Sequence, residues 1–393
     1  METKSKINIR NLFVVAGAYT SYTIGAGFAS GNEVLQFFGS WGVPGAFIAA
    51  IFGLIMNCYF CASAYKAGQG NDFAQSRDVY TYYAGKYVGW VFDIFVVIFV
   101  LGIFATMFAG AGSTINQFIS LPQWVGSLGI GIISAVVVFG GLKVVEQVLG
   151  YAGIVIIIFI VIVGIITIVS PNANLDQSSE VANLVKEGAI WQANMFEIMP
   201  GGVGASLSGL NSSWLDGLCY AGVCLVVCVP FIVSLGKSTK SQSEATFAGI
   251  FSGVFFYIGA FLVIIILLSN ANGLIDPATN EMFPIPTLAA VTYLLPGISW
   301  MFVIILIAGI FTTITGYLWL LTDRVFGSTP TTKSRIFTAV LMIIGVLAGS
   351  VLPFSAVVNF LWPISGFVGI ILVIFMIVKD IRLATSSKSK TAA

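Results

Sequence analysis

Histidine does not occur in this chain, and charge is scarce: only 8% of the 393 residues are Asp, Glu, Lys or Arg, against roughly 25% in soluble domains. The first absence removes the commonest general base and metal ligand, which excludes zinc hydrolases and His-based triads. The second leaves too little polar surface to cover a soluble globule of this size. With a net charge of +1 there is no basic field for nucleic acid. A phosphate-binding loop of the form G-x-x-x-x-G-K-[ST] is also missing, so ATP-driven work by this chain alone is not expected. Cysteine is limited to five residues, Cys58, Cys61, Cys219, Cys224 and Cys228, all inside apolar stretches. There they read as small packing groups rather than redox or metal sites. With no nucleophile–base pair at one depth, the chain is not expected to be an enzyme, and no cofactor or obligatory protein partner is implied.

What is present is apolar: 58% hydrophobic residues and a mean hydropathy of +1.00. Lipid must be the solvent for most of such a surface. About 20 apolar residues cross the hydrocarbon core as a helix. The chain offers about ten such transmembrane runs, at 9–40, 43–65, 88–118, 123–141, 145–169, 211–236, 245–268, 298–322, 335–352 and 355–378. The expected fold class is therefore all-α integral membrane, with residues 1–393 forming one membrane domain. The polar, basic Met1–Arg10 leads into an interrupted apolar run without a small-residue cleavage site, so the first span is expected to remain as an anchor.

Lys and Arg accumulate in cytoplasmic loops, which tests the map independently. With alternate crossings, every one of the 17 basic residues except Lys186 falls on the side of the N-terminus. Both termini, including the tail 379–393, are thus placed in the cytoplasm, the spans crossing the cytoplasmic (inner) membrane. The opposite loops are acidic, with Asp176, Glu180, Glu187, Glu197, Asp276 and Glu281. The longest of these, 170–210, separates the approximate repeats 9–169 and 211–378. Five spans in each half make the second half enter from the opposite face, the 5+5 inverted-repeat arrangement of secondary transporters.

The first span is polar and glycine-rich at its centre, Thr20-Ser21-Tyr22-Thr23-Ile24-Gly25-Ala26-Gly27-Phe28-Ala29-Ser30-Gly31-Asn32-Glu33. Gly25 and Gly27 ease departure from helical geometry, and Ser30 with Glu33 matches the S-x-x-E capping box that opens a helix. A helix is expected to stop near Ile24 and another to start near Ser30. Irregular backbone at membrane depth is tolerated only where it lines a cavity or is buried in protein. The N–H groups of Ala26 and Gly27 suit an anion such as a carboxylate, and the freed carbonyls suit a cation. One break thereby addresses both ends of a zwitterion. The competing reading is close helix packing through the G-x-x-x-G of Gly27 and Gly31.

In the corresponding sixth span, Cys219-Tyr220-Ala221-Gly222-Val223-Cys224 lies between Asp216 and Pro230, and a second discontinuity is expected there. The eighth span carries Gly309 and, three residues on, the adjacent Thr312 and Thr313. Threonine in such a helix ordinarily bonds to a carbonyl one turn back; two neighbouring hydroxyls facing a broken helix also suit a ligand. Tyr22, Phe104, Tyr220 and Tyr317 are the aromatics placed to flank a solute, and each also reads as core.

Taken together, these residues resemble the LeuT-fold transporters of the amino acid–polyamine–organocation superfamily. The likeness is greatest to the amino acid permease-like group containing YkvI-like bacterial membrane proteins, whose first-span signature Gly25 to Phe38 is similar to. The resemblance implies discontinuous helices 1 and 6, and substrate contacts from Tyr22, Gly25, Ala26, Gly27, Phe104, Tyr220, Ala221, Gly222 and Tyr317. It further implies a Na+ held by the hydroxyls of Thr312 and Thr313 and the carbonyls of Ser21, Ile24 and Gly309, since hard cations prefer oxygen. Some proton-coupled relatives place a lysine from the fifth span there; Val145–Val169 contains none, which favours Na+. The expected function is coupled uptake of a small neutral amino acid or related zwitterion from the bilayer-embedded site. H+ coupling through Glu33 and a quaternary-amine or cationic osmolyte remain alternatives. Glu33 and Asp216 are gate or proton-site candidates. Glu33 also reads as the Ser30 capping partner or as part of a cation-attracting vestibule, and Asp93 as a solvated helix end.

Overall fold

The computed structural model describes residues 8–75, 77–119, 121–195, 212–277, 281–283, 285–295, 297, 299–327, 329–350 and 354–391. Lys4, Lys6 and Glu197, used above in the charge map, lie outside them. The described chain is helical throughout apart from one two-stranded antiparallel ribbon, Ile275–Asp276 with Glu281–Met282.

The first span consists of three pieces, α1 (Ile9–Thr23), α2 (Ala26–Ser30) and α3 (Asn32–Phe37). Then come α4 (Gly42–Gly70), α5 (Asp78–Ile119), α6 (Gln123–Phe139) and α7 (Leu142–Val169). A short helix, α8 (Ser178–Lys186), occupies the long loop. The second half contains α9 (Ser213–Gly236), α10 (Gln242–Leu268), the loop helix α11 (Pro286–Leu294), α12 (Ser299–Phe326), α13 (Thr332–Gly349) and α14 (Phe354–Thr391). Eight described helical segments are long and apolar enough to cross a membrane, and Gln123–Phe139 is a shorter apolar helix. Residues such as Ile55, Ile98, Ile133, Val155, Ile304 and Leu347 are exposed on the outside of the bundle, the surface a lipid solvent requires.

Several boundaries differ from expectation. The third span starts ten residues earlier than 88 and bends at Gly85, whose φ of 78° few side-chain-bearing residues adopt. The last helix continues through most of the tail 379–393. The largest difference is in the sixth span: α9 runs unbroken through Cys219–Cys224. Gly222, within that stretch, serves packing instead. A Cβ on Gly222 would come within 2.4 Å of the Gly366 carbonyl oxygen, so the glycine lets α9 and α14 touch backbone to backbone.

The broken span also differs in detail. The second piece starts at Ala26, not Ser30, and a further interruption falls at Gly31 (φ 79°). The Ser30–Glu33 capping box does not form. Ser30 Oγ donates to the Gly27 carbonyl at 3.0 Å and accepts from Asn32 N–H at 3.3 Å, because the left-handed Gly31 turns the Glu33 amide away from it.

Hydrogen bonds group the loops onto two faces. On one, Asn11 donates to Glu244 and Ser238, Ser238 to Glu146, Gln242 to the Lys66 carbonyl and Lys237 to the Phe73 carbonyl. On the other, Asn174 N–H bonds to Ser269 O, Ala193 N–H to Gln36 O, and Gln192 to Ser40 O. These are the basic and acidic faces of the sequence map. Asp93, on the basic face, is no free helix end: it pairs with Arg324 and lies 3.9 Å from Arg77.

Candidate functional site

Helix α1 ends where its carbonyls lose their partners. The Ile24 N–H still reaches back to Thr20 O, but the Gly25 N–H turns to Thr23 O at 2.9 Å. The regular acceptor for Gly25, Ser21 O, is therefore released, in a region with no bulk water to solvate it. Helix α12 meets these oxygens. Thr312 Oγ1 lies 2.7 Å from Ser21 O and 2.9 Å from Gly309 O. Thr313 Oγ1 lies 2.9 Å from Ile24 O and 3.3 Å from Tyr22 O. Ser21, Ile24, Gly309, Thr312 and Thr313, all singled out by sequence, thus meet in one cluster, and the Tyr22 carbonyl joins them. Both threonines are fully buried. Each hydroxyl has one proton, so it serves one carbonyl at a time and keeps lone pairs to offer. The donor set is all neutral oxygen, the chemistry that fits a hard monovalent cation.

Beside the break is a cavity of about 30 Å³, room for about two waters. The broken span lines it with Tyr22, Thr23, Gly25 and Glu33, α5 with Phe99, Ile103 and Met107, and α9 with Val223, Cys224, Val227 and Cys228; Tyr317 and Trp362 complete the wall. Tyr22 stacks on Phe231 at 4.7 Å and meets Tyr317 edge-on at 5.6 Å. In this conformation the walls have closed on a space smaller than an amino acid.

Glu33 is the acidic residue of the cavity. It is 5% exposed and accepts the Tyr220 hydroxyl at 3.1 Å. Its carboxylate folds over Gly27, where a Cβ would come within 1.7 Å of Oε1. The glycine is needed for that approach. Asp216, by contrast, is a structural staple away from the cavity, accepting Trp41 Nε1 at 2.6 Å, Ser212 Oγ at 3.0 Å and Met195 N–H at 3.2 Å. It ties the start of α9 to the loops of the acidic face, so it is not placed to serve as a gate or proton site for the cavity.

The substrate contacts expected from sequence divide. Tyr22, Gly25 and Tyr317 line the cavity. Gly27 lies beneath Glu33, and Ala26 opens α2 next to it. Tyr220 does not line the cavity; it donates to Glu33 and packs on Phe37 and Phe38. Phe104 packs on Phe108 at 4.9 Å and does not line the cavity, and neither do Ala221 and Gly222, because an unbroken α9 turns them to other helices. Sequence reasoning missed Phe99, Ile103, Met107, Cys224, Cys228 and Trp362. Only the helical spacing of Cys224 and Cys228 from Tyr220 offered a signal.

No protein-family profile matches the chain. It is 22% identical over 368 residues to the uncharacterized membrane protein YkvI of Bacillus subtilis, covering 91% of this chain and 92% of that one. It is also 22% identical to the uncharacterized protein YyaD of the same organism, over 91% and 94%. Among solved structures it is similar to MhsT in complex with L-phenylalanine (TM-score 0.62, 12% identity, 93% of this chain and 89% of that one). It is likewise similar to the manganese transporter of Eremococcus coleocola (0.56, 14%, 96% and 80%) and to a Na+-coupled sialic acid symporter (0.55, 12%, 86% and 73%). The fold is therefore that of the LeuT-type membrane transporters. The chain is a multi-pass membrane protein similar to the YkvI group.

Proposed function

We propose that this chain is a secondary active transporter that couples Na+ entry to uptake of a small neutral amino acid or related zwitterion by alternating access. In the bacterial cytoplasmic membrane both termini face the cytoplasm, the side to which the basic loops belong. The observation that carries the reading is the meeting of the Ser21, Ile24 and Gly309 carbonyls with the Thr312 and Thr313 hydroxyls at the interrupted helix. These oxygens satisfy one another by hydrogen bonds when no ion is present. A bound Na+ takes the hydroxyl lone pairs and the carbonyls together, drawing the broken span onto α12 and favouring the state that closes around solute. Similarity to a Na+-coupled symporter and to a transporter that binds L-phenylalanine supports this choice of ion and solute. A manganese substrate is disfavoured by donor chemistry: the described residues contain no group of three His, Cys, Asp or Glu, and the cavity brings one carboxylate against thiols.

The test is uptake of a labelled amino acid panel into proteoliposomes, with and without a Na+ gradient. Uptake should rise at least tenfold with the gradient, and Thr312→Ala and Thr313→Ala should each abolish that dependence. Unchanged ion responses in both variants would mean that the cation is held elsewhere.

A second reading rests on Glu33, an acid in the cavity wall: H+ coupling of the same fold. Uptake driven by an acid-outside gradient in Na+-free medium, and lost in Glu33→Gln, would replace Na+ by H+. The aromatic walls formed by Tyr22, Phe99, Tyr317 and Trp362 would also suit a quaternary amine. Competition by choline or betaine, with none by amino acids, would select that reading.

A further inference from the structure

Two polar groups of the cavity point to the chemistry of its occupant. One is Glu33, whose Oε2 takes the Tyr220 hydroxyl while Oε1 lies over Gly27. Among the described residues none that lines the cavity is basic. A carboxylate held by one hydroxyl donor in an enclosed apolar site needs a positive partner. The other is Tyr22: 1% exposed, lining the same cavity, with no hydrogen-bond partner for its hydroxyl. A buried hydroxyl without a partner is costly unless a ligand satisfies it.

Resting on the transport reading of this cavity, we propose that Glu33 anchors the ammonium group of the solute and that the Tyr22 hydroxyl donates to its carboxylate. Charge supports the pairing. With a cation among the threonines and Glu33 ionised, the protein side is neutral, so a zwitterion leaves the closed site without net charge. A decarboxylated amine leaves it one positive charge in excess, and a deaminated acid one negative charge with Glu33 facing a second carboxylate. The order of preference is therefore amino acid, then amine, with the acid excluded. The small residues around the break and the thiol and thioether groups of Cys224, Cys228 and Met107 place the side chain of the solute in apolar surroundings.

The experiment uses matched triplets as probes on the purified full chain in Na+ buffer: alanine, leucine and phenylalanine, each with its decarboxylated amine and its deaminated acid, read as thermal shift and as competition for uptake. Amino acids should bind at least tenfold more tightly than the amines, and the acids not measurably. Glu33→Gln should weaken every amine-bearing probe at least tenfold, with Glu33→Asp recovering part of the loss. Tyr22→Phe should reduce amino acids to the affinity of the amines. The Na+-induced thermal shift, retained in all three variants, reports that fold and cation site are intact. Acids binding as well as amino acids, or Glu33→Gln leaving amino acid affinity unchanged while Na+ still stabilises, overturns the anchor and spares the transport reading. No response to any probe or to Na+ in the unaltered chain overturns both.

Discussion

Gly27 leaves room at the break for the Glu33 carboxylate, which any side chain at that position would displace. The G-A-G sequence marks a departure from helix, and the chain does depart there. Sequence alone assigned Gly27 to solute contact, yet its use is to admit the Glu33 carboxylate, with Oε1 1.7 Å from where a Cβ would stand. That contact depends on the left-handed turn at Gly31, which rotates Glu33 back over the break; no local pattern announces such a rotation. Gly27→Ala should therefore resemble Glu33→Gln, displacing the carboxylate and lowering amino acid uptake at least tenfold, while the Na+-induced thermal shift persists. Uptake at the level of the unaltered chain would mean that the carboxylate position is immaterial to transport. The threonine pair was legible only through the family resemblance: adjacent residues on a helix point about 100° apart, so spacing alone does not aim both hydroxyls at the carbonyls of Ser21 and Ile24 that they meet.

At the scale of elements, α9 corrects an argument made from symmetry. A break was expected there because the first span has one, but Gly222 is a packing residue and the helix stays intact. What α9 does contain is Pro230, which has no N–H for the carbonyl four residues earlier, Val226 O. That oxygen is taken by the Tyr80 hydroxyl of α5 at 2.7 Å, so a proline defect in one helix becomes a point of attachment for another. Tyr80→Phe should leave a buried carbonyl without a donor and destabilise the protein by about 1–3 kcal/mol, measured by thermal unfolding in detergent. In a Pro230→Ala background the helical N–H returns, and the same substitution should cost about 1 kcal/mol less. Equal costs in the two backgrounds would remove the coupling. Gly222→Leu tests the packing role directly. The obstructing atoms are backbone, Gly366 O at 2.4 Å and Ile370 N at 3.2 Å from the added Cβ, so they cannot swing aside. A loss of about 1–3 kcal/mol from overpacking is expected, seen as a lower unfolding temperature.

Across the whole molecule the hydropathy runs were legible because the bilayer imposes them, whatever the function. The packing of the bundle was not, since it depends on which small residues meet. Gly17 and Gly153 bring α1 against α7, and Gly222 with Gly366 and Gly369 brings α9 against α14, so the first and fifth spans meet in the same manner as the sixth and tenth. The cavity of about 30 Å³ lies among the broken first span, α5, α9, α12 and α14; it is too small for any amino acid, and the proposed alternating access requires that it dilate. Cys224 reports this. It lines the cavity and is 8% exposed, whereas Cys61 and Cys219 are fully buried outside it. In a variant retaining only Cys224, with Cys58, Cys61, Cys219 and Cys228 changed to Ser, a small methanethiosulfonate should react slowly in the closed state. Opening toward either face should expose the thiol, and amino acid with Na+ should cover it again, slowing the reaction at least tenfold relative to Na+ alone. The same protection should vanish with Thr313→Ala added, because without the cation the broken span is not drawn onto α12. Protection that survives loss of Thr313, or that occurs without Na+, would separate solute occlusion from the threonine cluster and leave the closing motion to be driven by the solute alone.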